Sequence, residues 1–187
     1  MNTTEVNFTP IVTAATIIGF GMGGMLDGIL FHQIFQLHHM ISDKVELTTT
    51  FGIKSNLFWG GLFLIWCWAL TTYGIFYLWK SLSSPYTPRS NLAFTGSFMV
   101  GWGLYLFIEG SVVHLLLRLH HVIEEWPRKE ELIVDLIGVG IGFGMMILGK
   151  VVVSNAKRAF YADMLKKINQ WDPMSRPTCL PPYEEYR

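Results

Sequence analysis

Charge is what this 187-residue chain has least of. Asp, Glu, Lys and Arg make up 15% of it, against about 25% in an ordinary soluble domain. The formal net charge is zero and no basic patch interleaved with aromatics is present, so nucleic acid is not an expected partner. Cysteine is scarce as well. Cys67 stands inside an apolar run and Cys179 near the C-terminus, which does not indicate a disulfide framework, and no CxxC or Cys/His zinc spacing exists. The opening MNTTEVNFTP lacks the basic start of a signal peptide, so the first apolar run is expected to stay in the mature protein.

What the chain has instead is long uncharged stretches. Hydrophobic residues make up 51% of it and the mean hydropathy is +0.36. No charge falls between Val6 and Leu26, Ser55 and Trp79, or Ser90 and Ile108. A fourth run, Leu132 to Val153, holds Asp135 and Lys150 near its ends, where charge is tolerated. Crossing a bilayer core takes about 20 helical residues, so four spans are expected. The breaks between them are polar. Residues 41–56 carry Ser42, Asp43 and three threonines, SLSSPYTPRS has two prolines, and EEWPRKEE precedes the fourth run. Span two is rich in tryptophan, as an interfacial aromatic belt is. The glycines of span four (Gly138, Gly140, Gly142, Gly144) would let helices approach closely.

All six histidines fall inside two matching stretches, GFGMGGMLDGILFHQIFQLHHM at 19–40 and GWGLYLFIEGSVVHLLLRLHHV at 101–122. A constant offset of 82 residues pairs Asp27 with Glu109, His32 with His114, and His38-His39 with His120-His121. Spans one and three then run the same way, as a parallel repeat about the membrane normal. Under the same offset spans two and four share little beyond Gly60 and Gly142. The expected architecture is all-α: a four-helix transmembrane bundle built from a parallel tandem repeat of two-helix units, plus a C-terminal amphipathic helix. Repeat one covers about 10–80 and repeat two about 92–155 of a membrane domain at 1–155. Residues 156–187 supply a basic amphipathic segment and a proline-rich cytoplasmic tail. Lys and Arg near the span ends place both termini in the cytoplasm and the His-rich ends outside the plasma membrane.

At about 100° per residue, an α-helix puts Asp27 and His38 on one face and His32, Gln36 and His39 on another. The second copy divides in the same way. One helix cannot aim all its ligands at one ion without a bend near Gly28. Two adjacent helices could instead supply His32 and His39 with His114 and His121, with Asp27 and Glu109 in support or forming a second site. Beyond His32 the chain either projects from the bilayer or folds back over the helix mouth.

Six imidazoles and two carboxylates are a metal-ligand inventory. The donors suit copper or iron, with zinc a weaker fit, and haem held between histidines of two helices is an alternative. The candidate ligands are Asp27, His32, His38, His39, Glu109, His114, His120 and His121. Arg118 replaces Gln36 in the second copy, where a fixed cation disfavours a nearby metal and suits a haem propionate, a lipid phosphate or an anionic substrate.

These two strings resemble the signatures of an uncharacterised family of bacterial four-span membrane proteins, a predicted membrane domain of unknown function. The resemblance covers roughly residues 10–155 and implies four helices in the bacterial inner membrane without implying an activity. The sequence thus points to a membrane metalloprotein of redox or oxygen chemistry. A non-catalytic accessory or metal-handling subunit of a larger complex, or a haem-binding electron-transfer subunit, are the alternatives. Expected partners are the bilayer and either further membrane subunits or copies of the same chain.

Overall fold

The computed structural model describes residues 6–123 and 126–170. The first helix, α1 (Thr9–Asp27), begins with Pro10 in its first turn, where a missing N–H costs nothing. It passes directly into a π-helical segment, π1 (Gly28–Ile34). After a loop comes α2 (Thr50–Leu82), capped by the Thr49 side chain, which accepts from the Gly52 N–H at 3.0 Å. Residues 50–56, whose polarity reads as loop, are the first turns of that helix. Asn56 is buried there and ties the loop down, accepting from Ile41 N–H at 2.8 Å and donating to the Val45 carbonyl at 3.1 Å. Ser90 caps α3 (Asn91–Ile108), which passes into a second π segment, π2 (Glu109–Leu117). The last helix, α4 (Arg128–Gln170), carries Glu130 and Glu131 in its first turn, where the helix dipole favours acids.

Every described element is helical, and four helices are long and apolar enough to cross a membrane. The basic segment expected as a separate helix from residue 156 is the unbroken continuation of α4. The proline-rich tail lies outside the described residues, as does Cys179.

Backbone packing orders the helices α2–α1–α3–α4. The two central helices are nearly in contact: a side chain at Gly19 would strike the Phe98 carbonyl, and one at Gly101 would strike that of Thr16. The outer helices present a seven-residue stripe inward, Gly60, Cys67, Gly74 and Ser81 on α2 and Asp135, Gly142, Gly149 and Ala156 on α4. Such a repeat keeps one seam facing a neighbouring helix when the two coil slightly around each other. Gly103 and Gly142 meet backbone to backbone across α3 and α4. Of the four glycines singled out in span four, Gly142 makes the expected close approach and a side chain at Gly138, Gly140 or Gly144 would meet no atom within 4 Å, while a fifth, Gly149, packs against Gly96 of α3.

Much of the interior is polar, beside a small apolar cluster of Phe8, Ile11, Ala93 and Ala156, and the outward helix faces are largely apolar. The largest fully buried side chains are His38, His120, Asp135, Cys67 and Ser97, whereas Trp79, Phe76 and Ile65 on α2 and Ile133 and Ile137 on α4 are more than half exposed. That inversion requires an apolar solvent around the helices.

Candidate metal centre

The two π segments start where the helical wheel demands a change. In an α-helix the five-residue spacing from Asp27 to His32 is a rotation of about 140°. A π turn closes its hydrogen bond from residue i to i+5, which stacks those two positions. Phe35 N–H donates to the Leu30 carbonyl at 2.7 Å, and Arg118 N–H to that of Val113. Carboxylate and imidazole therefore share a face in each segment, with His32 Nε2 3.4 Å from Asp27 Oδ2 and His114 Nε2 3.7 Å from Glu109 Oε1.

Both segments end the same way. Among the described residues, Gln36 and Arg118, 82 positions apart, are the non-glycine residues with positive φ, 49° at each. A left-handed residue reverses the chain, and the following loops fold back over the helix ends and join, with Asp43 N–H donating to the Leu119 carbonyl at 3.1 Å. His38 and His120 are carried inward by this reversal and buried. Their rings stack at 4.6 Å between centroids, with His32 4.3 Å from His38 and His114 4.9 Å from His120.

The inner four histidines are thus His32, His38, His114 and His120. His39 and His121, expected at the centre, lie outside this set of four, the one at its edge and the other buried next to it. His39 is half-buried with Nδ1 unpartnered. His121 is buried beside the centre, its Nδ1 2.6 Å from Asp135 Oδ2 and its Nε2 against the Arg128 guanidinium, 3.3 Å from Asp43 Oδ2. Arg118 is exposed on its turn, off the face it shares with the histidines on an ideal α-helix.

Proton positions sharpen the chemistry. His38 Nδ1 lies 2.8 Å from the Val122 carbonyl and His120 Nδ1 3.3 Å from the Met40 carbonyl. A carbonyl only accepts, so both Nδ1 atoms carry hydrogen. Burial, with the neighbouring imidazoles, holds His38 down to about 4 and His120 well below the usual histidine range. Both rings are neutral at pH 7, which leaves each Nε2 as a bare lone pair pointing inward. The His120 lone pair faces Glu109 Oε1 at 3.1 Å and that of His38 faces His32 Nε2 at 3.0 Å. His114 is buried with both nitrogens close to carboxylates and aligned on neither. The His38–His32 contact is satisfied if His32 Nε2 carries hydrogen, whereas an imidazole lone pair against a carboxyl oxygen at 3.1 Å calls for a cation between them, a shared proton or a metal ion.

Ligand atoms of His32, His38 and His120 lie within 4.8 Å of one another, and so do those of Glu109, His114 and His120. Ligating imidazoles that spend Nδ1–H on a carbonyl or carboxylate are the usual supported arrangement of metal sites. These residues fit a metal ion on that ground.

Two contributors had no clear signal in the sequence. Asp135 is fully buried, accepts from the Val122 N–H at 3.1 Å and stands 3.0 Å from His114 Nδ1. Its near-terminal position in span four reads as tolerated charge. Its one signature is that it falls seven residues before Gly142 on the inward stripe. Tyr105 is buried and donates to Asp27 Oδ2 at 2.9 Å, and nothing in its sequence context sets it apart from the other tyrosines.

Comparison with known proteins gives a family and no activity. A search of curated proteins and one of solved structures each found no match. A family model described as "Predicted membrane protein (DUF2243)" matches residues 14–156, which include all four spans' cores and every histidine. This chain therefore belongs to the DUF2243 family of predicted membrane proteins, whose function is unknown.

Proposed function

We propose that the protein is an integral membrane metalloprotein whose four inner histidines, with Asp27 and Glu109, hold copper or iron for redox or oxygen chemistry. The observation that carries this reading is the convergence of ligand atoms: His120 Nε2 lies 3.1 Å from Glu109 Oε1 in a buried space, and His32, His38 and His114 bring their ring nitrogens to the same place. Three or four imidazoles with added carboxylate suit copper or iron, metals that cycle between oxidation states. A macrocycle fits less well, because rings 4.3–6.1 Å apart already fill the space between the two π segments. His120 has a single free nitrogen, so the two ligand triads compete for it. A second ion would depend on Asp27 and Glu109 as ligands.

The chain's own part is positioning. The Val122 peptide links the shells, donating to Asp135 and accepting from His38. Asp135 and Tyr105 orient the groups around the ion, and the folded loops cover it. Positive charge at the opposite end (Lys80, Arg89) favours an orientation with the centre near the outer face of a bacterial inner membrane.

The test is metal analysis and an optical and paramagnetic-resonance spectrum of one purified sample. Wild type should carry near-stoichiometric copper or iron, and His120→Ala less than about a tenth of it. Protein that stays metal-free after reconstitution with either metal, while folded, would overturn the reading.

A further inference from the structure

Beside the histidine cluster lies a cavity of about 250 Å³, where α4 and the end of α1 approach α3 without packing on each other. Its inner end is polar, formed by Asp27, His38, Glu109 and His114. Its walls are apolar, with Leu106 on α3 and Val134, Ile137 and Ile141 on α4. Ile137 and Ile141 are 55% and 53% exposed although they wall the cavity, so this wall is open to the surroundings of α4 and, in a membrane, to lipid. The cavity therefore joins the hydrocarbon phase to the carboxylates and imidazoles. The corresponding space on the α2 side is closed, with Phe63 and Tyr105 packed at 6.2 Å between ring centroids.

Size and lining select the occupant. An apolar cavity of about 150 Å³ takes a benzene ring, so this one has room for a ring with substituents, far more than a diatomic gas needs. Apolar walls with a few convergent polar groups are the usual pattern of a small-molecule site. A ligand arriving through lipid must itself be apolar apart from one hydrogen-bonding end. We infer that this cavity binds the head of a lipid-soluble hydroxylated aromatic of the quinol type, admitted between α1 and α4, with a hydroxyl directed at the Glu109 carboxyl group. The inference names a substrate class for the proposed metal centre and rests on that reading only for the chemistry after binding.

Gly138 provides the handle. It lines the cavity, and a side chain there meets no atom within 4 Å. Phe at this position fills the cavity without pressing on the backbone. Gly144 is equally free, but exposed on the same helix and no part of the cavity, so Gly144→Phe is the matched control. The probe is a benzoquinol carrying a ten-carbon chain, counted on the full-length, detergent-solubilised protein by native mass spectrometry, with metal content measured on the same samples. Wild type and Gly144→Phe should bind one probe per chain saturably. Gly138→Phe should bind at least tenfold more weakly with its metal content unchanged. Equal binding by Gly138→Phe, no saturable binding by wild type, or a co-purified phospholipid that Gly138→Phe alone excludes would each overturn the assignment. Metal retained without probe binding sinks this inference alone. Probe binding in a protein that stays metal-free after reconstitution sinks the metal reading alone.

Discussion

His38 and His39 are neighbours in sequence and opposites in the fold. The reversal at Gln36 aims one ring into the cluster and leaves the other half-buried at its edge. The pair is thus its own control. His38→Ala should lose most of the bound metal, and His39→Ala should keep it within about twofold, both read by metal analysis. The same burial makes a pH prediction with a definite sign. His38 is held near 4 in the folded protein, against about 6.5 when unfolded. Between those values the unfolded chain binds the extra proton, so stability is complete above about pH 6.5 and declines as pH falls towards 4. His120 is displaced in the same direction and adds to the loss. Melting of the metal-free protein at pH 6.5 and pH 5, within the window of these two rings, checks it, and a melting temperature that does not fall at pH 5 would contradict the assignment of neutral, buried rings.

At the scale of elements, the conflict visible in the sequence was resolved by changing the helix. Residues five apart cannot share a face of an α-helix, so the motif demanded a distortion near Gly28. The structure supplies it as π turns beginning at Gly28 and at Glu109. The motif spacing could call for a bend, but not say that it would be a π segment rather than a kink. That choice depends on Gly28 and Gly110 fitting against Leu64 of α2 and Val139 of α4. The left-handed residues that close the two segments carry a cost of about 1–2 kcal/mol each, because Cβ crowds the following carbonyl. Arg118→Gly relieves it, and Arg118 is exposed. That variant should melt a few degrees higher with an unchanged metal content. A lower melting temperature would mean that the Arg118 side chain, which the sequence assigns to an anionic group, holds more than its turn.

At the scale of the molecule, small residues set how near the helices come and hence whether the ligands meet. Gly103 and Gly142 touch through their backbones, so Gly103→Leu must push α3 from α4 and draw Asp135 away from His114 and His121. Overpacking of this kind costs about 1–3 kcal/mol. Here it should also lower metal occupancy, whereas Gly144→Leu should change neither occupancy nor melting temperature. Four membrane-length helices, the common direction of the first and third, and the two motifs whose His and carboxylate groups come together were legible in the chain, because hydropathy, span length and motif spacing are local properties. Which histidine of each pair turns inward, and the recruitment of Asp135 and Tyr105, were decided only by the tertiary structure. Those outcomes depend on backbone reversals and on contacts between residues far apart in sequence, and one-helix periodicity carries no record of either.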